Sequence, residues 1–372
     1  MKYYRWSLII ALFSFQTQAL EVYPTGARYE NLVMDIVNNT INPLLSSRWE
    51  DKDVTDNIWV IVEPANGIAN SFGRAVALPG NPRRIIISED FIYGLGQYIA
   101  ADIISYELND HHLTERYFNY LFWRLRPVNE GPPPVTVDKW INFTPENLGS
   151  YQRNILTFQW LALTDVLLHE VGHHVNDGFY THNTSAAIIR RIEAEADNWS
   201  REALADEFPG VSSIGRIFSV GYIYELDRVL QQIGSQTHPP HLNRILGTIG
   251  DLCIELGESQ KDLCERLYVD AIRRFESKGT EEEYEARVAE GEAYAHFPLA
   301  NILLRRGNIE EACRHYKLAW DKARVERAAV HVGSCYDNVY LRDKTNVEAL
   351  QQAKRFYAIA ADLGFVDARA YI

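Results

Sequence analysis

Cysteine is absent from the first 252 residues, and the four present, Cys253, Cys264, Cys313 and Cys335, include no C-x-x-C pair. That argues against a cysteine-ligated zinc ribbon. Positive charge is scarce: 37 Lys and Arg face 50 Asp and Glu, a formal net charge of −13. Such a chain lacks the basic footprint that nucleic acid or anionic lipid requires, so no nucleic-acid partner is expected. Beyond the N-terminus no run approaches the ~18 uncharged apolar residues of a membrane helix, so no transmembrane segment is expected. No glycine-rich phosphate loop and no G-x-S-x-G elbow occur. What is present is a 47% hydrophobic, 12% aromatic composition over 372 residues. It excludes disorder and coiled coil, and at ~100–200 residues per domain it suggests two folded domains.

The N-terminus reads as a secretory signal. Lys2 and Arg5 precede a short apolar stretch, Leu8 to Phe15, and Thr17-Gln18-Ala19 offers a small-residue cleavage site. An exported, periplasmic or secreted protein follows as the expectation. In an oxidising compartment an even number of cysteines suggests two disulfides. Four cysteines allow three connectivities; the sequence neighbours, Cys253–Cys264 and Cys313–Cys335, are favoured, with free buried thiols as the alternative.

The expected fold class is α+β, predominantly helical with a small sheet. Residues 28–48 repeat at helical spacing, and Ile58 to Val62 and Arg84 to Ser88 read as strands. Residues 89–108 and 114–125 look helical. From Leu156 onward helical periodicity dominates, over 156–176, 185–206, 213–233 and 241–256. The tail aligns with itself at a shift of 41 residues, placing Ala312 on Ala353, Tyr316 on Tyr357, Ala319 on Ala360 and Ala329 on Ala370. Small residues and aromatics at matched positions are the mark of a helix–turn–helix solenoid, and this one resembles the SEL-type tetratricopeptide variant over 285–372. The expected organisation is a signal peptide (1–19), a catalytic domain (20–250) and a helical repeat domain (251–372).

The chemistry concentrates in Leu167-Leu168-His169-Glu170-Val171-Gly172-His173-His174. Helix positions four apart share a face, so His169 and His173 offer two imidazoles to one ion. Glu170 sits one position round, near a water on that ion. Gly172 leaves room for a substrate or a strand to approach. A catalytic zinc needs a third protein ligand and an open position. Glu193, in Glu193-Ala194-Glu195-Ala196-Asp197 on the next helix, is the leading candidate, with His182 and Glu202 as competitors. Asp197 shares the face of Glu193 and can accept the N–H of a ligating imidazole.

H-E-V-G-H followed by E-A-E-A-D resembles the H-E-x-x-H…E-x-x-A-D pattern of the HtpX-like and CaaX-prenyl-protease-like gluzincin zinc metallopeptidases. Asn70-Ser71-Phe72…Ala77-Leu78-Pro79-Gly80…Ile85-Ile86-Ile87-Ser88 is similar to that family's N-A-F-A-L-P-G…I segment, with Arg74-Ala75-Val76 interposed. Thr237-His238-Pro239-Pro240…Arg244 is similar to its T-H-P…R segment. Signal peptide, peptidase and repeats together look like the periplasmic BepA-type proteases; the ImmA/IrrE-like peptidases rank second. The resemblance implies one Zn2+ per chain held by His169, His173 and Glu193, with Glu170 as general base. It further implies His238 as an oxyanion donor beside the metal and Arg244 as a brace of its loop. Residues 84–88 are expected to be an edge strand that pairs with substrate. The implied activity is cleavage of protein or peptide substrates in envelope quality control, with a further partner on the repeats. The alternative is a chaperone or scaffold with a vestigial metal site.

Overall fold

The computed structural model describes residues 20–23, 26–48, 58–64, 75–125, 134–145, 148–179, 184–205, 211–232, 242–256, 260–275 and 280–372. The expected signal peptide, Asn70 to Gly73, His182 and the Thr237–Pro240 segment with His238 lie outside the described residues.

The chain is predominantly helical with one small mixed sheet, an α+β arrangement. Strands β1 (Leu20–Tyr23), β2 (Ile58–Glu63), β3 (Ala75–Leu78) and β4 (Arg83–Ser88) lie in the order β1-β2-β4-β3. The first three neighbours run parallel, and β3 is antiparallel to β4. β2 alternates buried and half-buried residues, with Ile58, Val60 and Val62 inward, as the period of two demands. The expectation for residues 84–88 is corrected here: β4 is an interior strand, hydrogen-bonded on both sides, and the edges are β1 and β3. Four residues between breakers were too short a signal to read as a strand.

The single helix expected over 28–48 is three pieces: α1 (Glu30–Ile36), one π turn (Val37–Ile41) and α2 (Asn42–Arg48). α3 (Glu89–Leu108) starts where Ser88 ends β4; the Ser88 hydroxyl accepts from the Phe91 N–H at 3.2 Å and caps it. α4 (Leu113–Leu125) and the short α5 (Val137–Trp140) follow. α6 (Leu148–Val175) runs beneath β3 and β4 and packs on α7 (Ala186–Ala205) and α8 (Val211–Gln232). Ser185 caps α7, accepting from the Ile188 N–H at 3.4 Å.

Among the described residues, three apolar cores form. The largest joins the sheet to α1–α4 and α6–α8. A small satellite forms where α8 meets α9 (Leu242–Leu256) and α10 (Lys261–Phe275), around Val220, Ile245, Ile249 and Ala271. The residue-250 boundary expected from sequence falls inside α9. The third core belongs to α11 (Glu281–Ala289), α12 (His296–Arg305), α13 (Ile309–Ala323), α14 (Glu326–Arg342) and α15 (Val347–Asp362). The aligned pairs Ala312/Ala353, Tyr316/Tyr357 and Ala319/Ala360 are all buried there, whereas Ala329 is buried and Ala370 exposed.

Both sequence-neighbour cysteine pairs are joined. Cys253–Cys264 clips α9 to α10, and Cys313–Cys335 clips α13 to α14, with Cα–Cα distances of 5.6 and 5.7 Å. No helix among the described residues is long and apolar enough to cross a membrane.

Candidate metal centre

The centre forms where α6 and α7 nearly touch. A Cβ on Gly172 would lie 3.0 Å from both the Cα and the carbonyl oxygen of Ala196. Gly172 therefore admits a neighbouring helix, not the substrate or strand expected from sequence. That close approach brings Glu193, one turn before Asp197, against the two histidines of α6.

The donor atoms of His169, His173 and Glu193 all lie within 4.8 Å of one another. His169 Nε2 is 3.1 Å from His173 Nε2 and 3.2 Å from Glu193 Oε2, and His173 Nε2 is 3.8 Å from Glu193 Oε1. Bonds of ~2.0–2.1 Å to a tetrahedral Zn2+ would separate ligand atoms by about 3.3 Å, so this spacing fits a three-ligand site with small adjustments. All three side chains are largely buried. Glu195 is exposed beside Arg191, and Glu202 is exposed farther along α7.

Asp197 accepts from the Nδ1–H of His169 at 2.9 Å, which turns Nε2 toward the donor group. Arg244 reaches the same oxygen, Oδ1, at 2.6 Å, and Arg216 lies 3.3 Å from Oδ2. Arg244 thus braces Asp197. Burial alone would raise the Asp197 pKa, but the His169 hydrogen bond and the charges of His169, Arg244 and Arg216 outweigh it and hold the group below the usual carboxylate range. Burial opposes charge on His169 as well. Hydrogen bonds to Asp197 and Glu193 overcome it and raise the ring to about 10. His173 goes the other way: burial, then the charge on His169, lowers it to about 4. A group of acids closed around one imidazole favours positive charge at this point.

Glu170 is buried and faces the sheet edge. Its Oε2 accepts the Ala77 N–H at 2.6 Å, across 93 positions of sequence. Ala77 lies on β3, so the general-base candidate is tied to the edge strand itself. His174 is no ligand: it is fully buried and its Nε2 lies 3.0 Å from the Arg84 carbonyl oxygen, fastening α6 to β4.

No protein-family model, curated protein or solved structure matches the chain. The site therefore has to be read from its own geometry.

Two functional groups escaped the sequence reading. The Ala77 N–H is a backbone atom with no residue-type signature. Arg216 had one: it is an arginine amid Ile214, Ile217, Phe218 and Val220, where a charge at a core-facing helix position needs a buried acid.

Replacing Glu193 by Gln removes the one anionic donor among the three. Zinc affinity, measured by chelator competition, is expected to fall well over ten-fold, because even supporting partners of a ligand are worth ~10–100-fold. Stoichiometric zinc in Glu193→Gln at wild-type affinity would show that the third ligand lies elsewhere.

Proposed function

We propose that this protein is an exported zinc-dependent endopeptidase that hydrolyses peptide bonds of protein substrates. The observation that supports the reading most is the convergence of His169, His173 and Glu193 on one point, with Glu170 beside them and held by the edge strand. Two imidazoles and a carboxylate are a donor set suited to zinc with one position open. When bound, the ion would supply Lewis acidity and bring a water's pKa toward neutrality.

The chain's own groups divide the remaining work. His169, fixed by Asp197, and His173 present their Nε2 atoms from one helix face. Glu170 takes a proton from the attacking water and passes it to the leaving amine, as a general base and then an acid. The Ala77 N–H fixes one oxygen of that carboxylate and thereby its orientation. As the sheet edge nearest Glu170, β3 would offer backbone groups to an extended polypeptide, which would add to the sheet as a further strand. His238, outside the described residues, remains the proposed oxyanion donor. The disulfides suit an oxidising compartment such as the periplasm. The helices α11–α15, with their matched alanines and aromatics, are proposed to act as tetratricopeptide-like repeats that recruit substrate or a partner in envelope quality control.

The deciding measurement combines metal content with cleavage of an unfolded exported protein. About one zinc per chain is expected, with cleavage abolished by a chelator and restored by added zinc. Cleavage indifferent to metal removal would end the metallopeptidase reading.

A further inference from the structure

We infer that Arg216 is a positioning residue for the metal centre, holding Asp197, and through it His169, from the side of α8. The inference rests on the metal-site reading above and adds a residue to it.

Two arginines on one carboxylate look redundant, but their contacts differ. Arg244 donates to Oδ1 of Asp197, the oxygen that also accepts from His169. Arg216 faces Oδ2 at 3.3 Å and also donates through Nη1 to the Asp197 backbone carbonyl at 2.9 Å. The same Nη1 lies 3.4 Å from the Ser200 hydroxyl, one turn further along α7. Arg216 thus grips the helix that carries the acceptor as well as the acceptor itself.

The supports differ too. Arg216 stands on α8, which packs along α6, the helix bearing His169 and His173. Arg244 stands on α9, in the satellite core with α10. The reference frame that ties ligand to acceptor is therefore α6–α7–α8, and Arg216 is its charged link.

A second buried acid belongs to this link. Asp165 lies one turn before His169 on α6, and its Oδ2 accepts from the Ser219 hydroxyl of α8 at 2.5 Å. Asp165 and Asp197 are both over nine-tenths buried, and Ser200 lies between them, its hydroxyl 3.5 Å from Asp165 Oδ1 and 3.2 Å from the Asp197 carbonyl oxygen. Without Arg216, Oδ2 of Asp197 would lose its charged partner, and the Asp197 carbonyl would keep the Ser200 hydroxyl at 3.2 Å but lose the guanidinium. The expected response is a shift of Asp197 and a loosened His169 ring.

The test measures zinc affinity by chelator competition and the visible spectrum of the Co2+-substituted full chain. Arg216→Gln is expected to weaken zinc binding about 10–100-fold and to alter the cobalt spectrum. Arg216→Lys keeps the charge but loses the planar fork whose Nη1 meets the carbonyl and Nη2 the carboxylate, so its affinity should lie between. In an Asp197→Ala background, Arg216→Gln should cost little more, because the two residues act as one unit. Full additivity in that cycle would overturn the inference. So would wild-type affinity and spectrum in Arg216→Gln. Should Arg216→Gln not fold, unchanged affinity in Arg216→Lys overturns it equally. A wild-type chain that takes up no zinc removes the metal reading and this inference together; normal zinc with unaffected variants removes this inference alone.

Discussion

Replacing Glu170 by Gln is expected to leave zinc content unchanged and to lower proteolysis by about 10²–10⁴-fold, the usual contribution of a positioned acid–base group. The structure makes this substitution a clean one. Gln has the shape of Glu, and its carbonyl oxygen can still accept the Ala77 N–H that Oε2 accepts at 2.6 Å. The edge strand therefore keeps its anchor, and His169, His173 and Glu193 keep their places. What is lost is the capacity to take and return a proton. Zinc by metal analysis and cleavage of an unfolded protein, measured on the same sample, separate the outcomes. Intact zinc with lost cleavage supports the peptidase. Undiminished cleavage would move the base elsewhere. Full biological complementation by Glu170→Gln would favour the scaffold reading, in which the helices act and the metal site is vestigial.

Glu115→Gln is expected to destabilise the protein by about 3 kcal/mol, at the lower end of the cost of breaking a buried ion pair. Glu115, on α4, is 3% exposed and uses both oxygens. Oε1 receives Arg228 of α8 at 2.7 Å and the Tyr284 hydroxyl at 3.0 Å, and Oε2 receives Arg287 of α11 at 2.7 Å. One carboxylate therefore joins the sheet-containing core to the C-terminal helices. An amide can replace one of those oxygens but sets an N–H donor against a guanidinium at the other. The loss stays near the lower end because each arginine retains another acid, Arg228 with Glu225 and Arg287 with Glu292, all at 2.7 Å. Urea unfolding at neutral pH measures the change. A loss under about 1 kcal/mol would show that the junction depends on other contacts instead, such as the cation–π contact of Arg327 over Trp123 at 4.7 Å.

Legibility in the sequence followed the range of each interaction. His169 and His173 sit four apart on a continuous helix, so local geometry alone places them on one face. Glu193 and Asp197, also four apart, required one further assumption, that the chain returns antiparallel after a short turn; α7 does so. The cysteine pairs lie 11 and 22 residues apart, and proximity in sequence sufficed to favour them. Three readings stopped short where the contact was distant. The sequence points to residues 84–88 as the edge strand, and Ile85-Ile86-Ile87 is the stronger β signal. A run buried on every side is the sign of an interior strand, and the weak Ala75–Leu78 took the edge. Gly172 reads as clearance for a substrate or a strand, while its partner is Ala196 of a helix that local spacing does not place. Arg244 reads as a support near the metal that braces its own loop, and the support it gives is to Asp197, 47 positions earlier, a partner no local spacing shows.

By itself the sequence determined the two imidazoles on one helix face, the acid beside them, Glu193 and Asp197 as leading candidates on the next helix, and a largely helical chain with few strands. Each is a matter of local periodicity or residue chemistry, which the backbone expresses wherever the helix sits. Only the tertiary structure decided that Ala77 holds Glu170, that Arg216 and Arg244 share one carboxylate, and that Glu115 joins two cores. Those contacts bridge separations of 19 to 172 positions. Burial makes them consequential, since a charge taken out of water must find a partner, and chain folding alone settles which one.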